Sequence, residues 1–173
     1  MKEADIIKLA TLAYWRYDRQ HIVGAIECGG ADVMTMSKSL LIAESEVKVT
    51  IADMRREFKT KSHKHQFMLR GGFNRRASVN YFYFVVPERL KEKALEVVKE
   101  LYPYAGLLVS RKHINIYYGE PNIYSLKSAK RMQRPKPLID EIIRMGYAAS
   151  NTAIRYGNKL IETNEVGSDI ELK

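Results

Sequence analysis

The stretch from His21 to Val49 reads HIVGAIECGGADVMTMSKSLLIAESEVKV, and its pattern decides the fold. Runs of apolar and β-branched residues are separated by Gly29-Gly30 and by the polar turn Ser37-Lys38-Ser39. Such spacing is typical of short strands joined by hairpins. The sequence therefore predicts an antiparallel meander of three strands, at residues 21–28, 31–36 and 40–49.

Helices are predicted on both sides of this meander. Apolar residues recur at helical spacing over residues 3–19, and Thr50 is placed to cap a helix from Ile51 to about Lys59. The run Asn80–Val86 is nearly all apolar and predicts a central strand, after which Pro87 can open a helix. The remaining expectations are a long basic loop at 60–79 with room for one helical turn, a helix at 88–101, strands at 105–110 and 114–118, a basic linker at 119–135 and a helix from Pro137 to about Tyr156.

This order of elements predicts an α/β fold with a mixed central sheet flanked by helices. The length of 173 residues suits one domain, at 1–157, followed by a polar C-terminal tail at 158–173. No apolar run is long enough to span a membrane, and the N-terminus lacks the pattern of a signal peptide. With Cys28 as the single cysteine, no intrachain disulfide can form. We therefore expect a cytoplasmic, intracellular protein with no membrane partner.

The positive charge is concentrated in two segments. The formal net charge is +9, with eight Lys/Arg against one acid from Arg55 to Arg76, and five against none from Lys127 to Lys136. This concentration favours a polyanionic partner such as DNA, although a solubilising surface or an anionic membrane would also need basic residues. The predicted nucleic-acid contacts are Arg55, Arg56, Lys59, Lys61, His63, Lys64, His65, Arg70, Arg75, Arg76, Lys127, Lys130, Arg131 and Arg134.

Acids and a lysine alternate along the third predicted strand. Because side chains alternate between faces, Glu44, Glu46 and Lys48 share one face, and Asp32 lies one hairpin earlier. Converging carboxylates suit a hard cation, Mg²⁺ or Mn²⁺, that can polarise a phosphate. Lys48 could orient or deprotonate an attacking water, or stabilise charge in the transition state. The plainer alternative is the solvated face of an edge strand.

These residues carry a resemblance to a known family. Gly30-Ala31-Asp32-Val33, followed by Ile42-Ala43-Glu44-Ser45-Glu46-Val47-Lys48, resembles the signature of the PD-(D/E)xK nucleases. That superfamily includes restriction endonucleases, Holliday-junction resolvases and repair nucleases, and its core is an αβββαβ unit. The strand Tyr81–Pro87 adds a similarity to the MmcB-like group of DNA-repair proteins. The resemblance spans about residues 3–118 and implies a restriction-endonuclease-like αβββαβ core.

The resemblance also implies roles for individual residues. It makes Asp32, Glu46 and Lys48 catalytic in a Mg²⁺-dependent endodeoxyribonuclease, which hydrolyses DNA phosphodiester bonds. It allows a homodimer, since members often dimerise to cut both strands. Two departures from the family pattern are Ala31 in place of the motif proline and the longer segment at 60–79. The implied metal ligands are Asp32, Glu46 and the Val47 carbonyl, with Glu3 or Glu27 as the additional acid.

Two other classes of function stay open from the sequence. The protein could be a non-catalytic nucleic-acid-binding module that uses the same fold and its basic segments. It could also be an interaction protein whose acidic strand face meets a partner. A zinc site built from Cys28, His63 and His65 is disfavoured, because the spacing fits no standard pattern and a fourth ligand is missing.

Overall fold

The stretch from His21 to Val49 folds into three antiparallel strands, as predicted. The computed structural model describes residues 2–69, 79–111, 122–133 and 136–168. Gly29 and Gly30 form the first hairpin turn with φ angles of 63° and 85°, a backbone conformation that glycine adopts without strain. The strands are β1 (Val23–Cys28), β2 (Ala31–Met36) and β3 (Ile42–Val47), paired in that order.

Three further strands continue the sheet beyond β3. β4 (Val79–Pro87) pairs in parallel with β3, and β5 (Gly106–Ser110) pairs in parallel with β4. β6 (Ile123–Lys127) then runs antiparallel to β5. Among the described residues the sheet has six strands in chain order, so β3 and β4 lie at its centre. The predicted α/β class with a mixed sheet flanked by helices is therefore confirmed.

Five α-helices are described around this sheet. Thr50 caps the second of them, because its Oγ1 accepts the backbone N–H of Asp53 at 3.1 Å, as the sequence predicts. A π-helical turn, Tyr14–Asp18, extends the first helix, and a 3₁₀ turn, Glu88–Leu90, precedes the fourth. The helices are α1 (Glu3–Ala13), α2 (Ile51–Thr60), α3 (Ser62–Leu69), α4 (Lys91–Leu101) and α5 (Ile139–Ser168).

The two faces of the sheet bury different sets of side chains. On the α1 face, Trp15 packs in a cluster with Val47 and Val85, and its Nε1 donates to Ser45 Oγ at 3.1 Å. The opposite face buries Phe82 and Phe84 beneath α2, α3 and α4. In the parallel register, Glu44 lies beside Phe82, and Glu46 lies beside Phe84. Both acids therefore point into the second, largely apolar layer.

Three expectations about the elements are wrong. The segment predicted as a loop at 60–79 contains α3, which buries His65 and Met68 on one side at helical spacing. The predicted linker at 119–135 contains β6, a short strand that gains its hydrogen bonds from β5. The last helix continues past Tyr156 to Ser168, where Lys and Glu residues are good helix formers.

The predicted strand at 114–118 and the predicted domain boundary after residue 157 are not tested by the structure. The strand predicted at 114–118 lies outside the described residues. The division into a domain at 1–157 and a tail at 158–173 stays a prediction. Within the described residues, no helix combines the length and the hydropathy needed to cross a membrane.

Candidate functional site

Asp32 is held directly against the end of β3. Its Oδ2 accepts the backbone N–H of Val47 at 2.8 Å, and its Oδ1 lies 2.9 Å from Lys8 Nζ on α1. The register that pairs Val33 with Ser45 places Asp32 beside Glu46 on the neighbouring strand. The structure thus brings together the aspartate and the Glu46-Val47-Lys48 run that the sequence singled out.

Glu44, Glu46 and Lys48 share one face of β3 and are buried there. Their exposed fractions are 5%, 2% and 8%. Lys48 Nζ lies 3.8 Å from Glu46 Oε2, so the motif acid and the motif lysine are close but not in tight contact. The alternation of strand side chains predicted this shared face, while the alternative of a solvated edge strand does not hold, since β3 lies between β2 and β4.

Two lysines from the α2–α3 region neutralise these buried acids. Lys64 Nζ contacts Glu44 Oε1 and lies 2.8 Å from Glu46 Oε1, and Lys61 Nζ lies 2.9 Å from that same oxygen. Burial disfavours the Lys64 ammonium, but Glu44 and Glu46 outweigh this effect and raise the pKa of Lys64. Burial raises the pKa of Glu44 even though Lys64 opposes it. Glu46 is therefore surrounded by ammonium groups.

Glu57 on α2 is a central member of the site that the sequence analysis missed. It is 3% exposed, and its Oε2 contacts Lys48 Nζ, while its Oε1 lies 3.2 Å from His65 Nε2. Burial opposes ionisation of Glu57, but hydrogen bonds from His65 and Lys48 outweigh it and lower the pKa of Glu57 to about 2. A signal was available, because Glu57 follows the apolar Met54 by three residues and so shares its helix face.

The charge state of Lys48 follows from this pairing. Burial disfavours its ammonium, but the hydrogen bond to Glu57 and the charges of Glu57 and Glu46 raise the pKa of Lys48. Lys48 is therefore protonated at neutral pH. A protonated lysine can stabilise negative charge, whereas it cannot accept a proton from water.

His65 does not have the role predicted for it. It is completely buried, with Nδ1 hydrogen-bonded to Tyr104 Oη and Nε2 to Glu57. Because both ring nitrogens are engaged inside the protein, the prediction that His65 contacts a nucleic acid is wrong. Its place in a polar chain from Tyr104 through Glu57 to Lys48 makes it a supporting residue of the site.

The two candidates for an additional metal-binding acid lie in exposed ion pairs. Glu3 forms a bidentate pair with Arg89, in which Oε2 and Nη2 are 2.9 Å apart, and the hydrogen bond from Arg89 lowers the pKa of Glu3. Glu27 contacts Arg155 and lies 3.4 Å from Lys8, the lysine that also pairs with Asp32. Of the two, Glu27 is thus linked to Asp32 through a shared cation.

The donor chemistry of the site can be compared with the needs of Mg²⁺. Asp32 and Glu46 are carboxylates on neighbouring strands, which is the donor type that Mg²⁺ prefers. Their oxygens already face Lys8, Lys61 and Lys64. Among the described residues, no three Asp, Glu, His or Cys side chains are grouped to hold a metal ion. The residues fit a hard cation by type, provided that the lysines on Glu46 move aside.

The other residues predicted to contact DNA fall into three groups: those paired within the protein, those exposed on the surface, and those outside the described residues. Arg55 pairs with Glu100 at 2.8 Å, Arg56 pairs with Asp53, and Lys127 donates to the backbone carbonyl of Ala105. The side chains that the structure places on the surface are Lys59, His63, Lys130 and Arg131. The predicted contacts that lie outside the described residues are Arg70, Arg75, Arg76 and Arg134.

Comparison with known proteins adds a similarity in fold. No family model matches the chain. No curated protein matches it either. Among solved structures, the chain is similar to the SPO1766 protein of unknown function from Silicibacter pomeroyi, with a TM-score of 0.56 and 13% identity, over 95% of this chain and 94% of that one. At this identity the similarity concerns the fold alone.

Proposed function

We propose that this protein is a Mg²⁺-dependent or Mn²⁺-dependent nuclease that hydrolyses DNA phosphodiester bonds. The observation that carries the proposal is the 2.8 Å hydrogen bond from the Val47 N–H to Asp32, which joins the aspartate to Glu46 and Lys48. The order α1, β1, β2, β3, α2, α3, β4 is compatible with a restriction-endonuclease-like αβββαβ core. Both features support the PD-(D/E)xK assignment that the sequence motif suggests.

Each residue would have a distinct task in such a nuclease. Asp32 and Glu46 would hold the metal ion, with the Val47 carbonyl as a further ligand implied by the family resemblance. A bound divalent ion supplies charge that polarises a phosphate and lowers the pKa of water. Lys48, held protonated by Glu57, would stabilise the negative charge that develops on the phosphate in the transition state.

Lys61 and Lys64 have a second task in this proposal. They neutralise Glu46 in the described conformation, and their side chains are 38% and 24% exposed. An approaching DNA backbone offers phosphate oxygens as alternative partners for both ammonium groups. Transfer of these lysines from Glu46 to phosphate would free the carboxylate for a metal ion, so that DNA and metal would bind together.

A metal-titrated cleavage assay tests the proposal. Purified protein should nick or cut at least one of supercoiled, linear, single-stranded and branched DNA when Mg²⁺ or Mn²⁺ is added. Asp32→Ala should abolish cleavage and leave DNA binding largely intact. Lys48→Ala should also abolish cleavage while it still binds DNA, and circular dichroism must show that this variant is folded, because it leaves Glu57 buried without its lysine. Exposed Lys93→Ala is the matched control. Mg²⁺-dependent cleavage by a clean Asp32→Ala preparation would overturn the assignment.

A non-catalytic nucleic-acid-binding module is the second candidate function. The observation that favours it is the lysine pairing of Glu46, since a neutralised buried carboxylate is a poor metal ligand. The two functions differ in a calorimetric titration with Mn²⁺. If Glu46 is a metal ligand, Lys64→Met should tighten Mn²⁺ binding by about tenfold, or about 1.4 kcal/mol, because a competing cation is gone. If the protein only binds nucleic acid, neither the wild type nor Lys64→Met should bind Mn²⁺ at this site. Asp32→Ala should then leave the Mn²⁺ titration unchanged.

A further inference from the structure

A large cleft opens next to the candidate site, on the same face of the sheet. Its volume is about 760 Å³, within the range of roughly 300–1,000 Å³ that small-molecule sites occupy. It lies between α3 and the beginning of α5, and its floor is formed by side chains of β2 and β3. Lys61 and Lys64, which pair with Glu46, line the cleft as well. The cleft and the candidate site therefore share two cations.

The walls of the cleft are apolar and are formed largely by flexible methionine side chains. Met34 from the sheet, Met68 from α3 and Met145 from α5 face it, together with Phe67. Methionine thioethers pack well on aromatic rings and adapt to flat groups of different outline. Enzymes that read an unstacked nucleobase bind it between apolar and aromatic side chains of this kind. A flat heteroaromatic ring is thus the chemical group that these walls suit.

The charged residues of the cleft suit an anion attached to such a ring. Lys61, Lys64 and Arg144 line it as cations. Two acids line it too, but Lys64 contacts Glu44, and Glu141 accepts the backbone N–H of Leu138 at 2.9 Å at the start of α5. Both acids therefore have partners within the protein. Lys61 and Lys64 are also paired, with Glu46, but their side chains are 38% and 24% exposed, so that each can also contact a phosphate.

We propose that this cleft receives one unpaired nucleotide of the DNA substrate, with its base against the methionines and its phosphate near Lys61 and Lys64. The inference rests on the proposed nuclease function and names its substrate class: single-stranded or locally unpaired DNA. A paired base would first have to leave its stack, at a cost of about a few kcal/mol, whereas a base that is already unpaired avoids most of this cost.

Binding without metal tests the inference separately from catalysis. Fluorescence anisotropy in EDTA should give a dissociation constant for a short labelled single strand that is about tenfold or more below that of its duplex. Met34→Trp, which fills the cleft, and Arg144→Glu, which reverses a charge on its wall, should each remove this preference. The matched control Lys93→Glu changes an exposed lysine that does not line the cleft and should retain it.

The outcomes separate the two proposals. Equal affinity for single strand and duplex, or a preference that survives in folded Arg144→Glu and Met34→Trp, would overturn the nucleotide site. If cleavage nevertheless depends on Asp32 and Lys48, the nuclease proposal stands without the cleft. If the single-strand preference depends on the cleft but no metal supports cleavage, the nucleotide site stands and the nuclease proposal fails. Circular dichroism of each variant shows whether it is folded, and Arg144 is exposed, so its replacement leaves the core intact.

Discussion

Replacing Glu57 with glutamine should destabilise the protein strongly, although the side chain keeps its size. Glu57 is buried against Lys48 and His65, and its pKa of about 2 lies well below the ordinary 4.5. That difference corresponds to about 3 kcal/mol of stability at neutral pH. Removing one partner of a buried ion pair costs about 3–5 kcal/mol in other proteins. Because glutamine retains some hydrogen bonds, we expect the lower value for Glu57→Gln.

The stability difference between wild type and Glu57→Gln should also depend on pH in a defined direction. A carboxylate whose folded pKa is lowered adds stability above its unfolded pKa and loses it as the pH falls through its folded pKa. The free-energy difference between wild type and Glu57→Gln should therefore be largest at pH 7 and should shrink as the pH falls from about 4.5 towards 2. Urea unfolding followed by circular dichroism at several pH values measures this difference.

The matched control is Glu100→Gln on α4. Glu100 is also ion-paired, with Arg55, but both side chains are about half exposed to water, which screens the pair. Its replacement should leave the urea midpoint nearly unchanged. A loss of less than about 1 kcal/mol for Glu57→Gln at pH 7, or a loss that does not depend on pH, would refute the account of the buried cluster.

Two further stability predictions concern other parts of the fold. Gly106→Ala should lower the free energy of unfolding by about 2 kcal/mol, because a Cβ there would meet the Tyr83 ring and lie 2.7 Å from the Ala129 backbone nitrogen. Gly146→Ala, with open space around it, should raise the free energy of unfolding by about 0.5–1 kcal/mol. Thermal unfolding measures both changes. Burial and the charge of Arg19 lower the pKa of His21 to about 4, so protonation of the unfolded chain should reduce stability as the pH falls from about 6.5 to 4. His21→Gln should flatten that part of the pH profile, and a profile identical to that of the wild type would contradict the assignment of His21 as a half-buried neutral group.

The sheet and the motif residues could be predicted because their signals are local. Strand alternation places Glu44, Glu46 and Lys48 on one face, and the glycine turn after Cys28 sets the hairpin that brings Asp32 beside them. The strand Asn80–Val86 is apolar enough to be recognised as central without any partner. At these positions the local sequence pattern is sufficient to predict the strand and the face on which each side chain lies.

The rest of the site depends on contacts between distant segments. The basic segment around His65 predicts a nucleic-acid contact, whereas its burial depends on Tyr104, which lies 39 residues later in the chain. Glu57 is the one acid in the basic stretch from Arg55 to Arg76, and its pairing with Lys48 arises only when α2 packs on β3. The pairing of Glu46 with Lys61 and Lys64 is likewise a tertiary contact that no local pattern encodes.

The buried cluster also has an evolutionary consequence. Glu44, Glu46 and Glu57 are balanced there by Lys48, Lys61 and Lys64, and the three acids are each at most 5% exposed. Loss of one member leaves an opposite charge with too few partners in a setting where water cannot replace them. Homologous chains that keep the proposed chemistry should therefore retain Glu46 and Lys48, whereas Glu44 and Lys64 should change together, so that covariation of this pair would mark the descent of this fold.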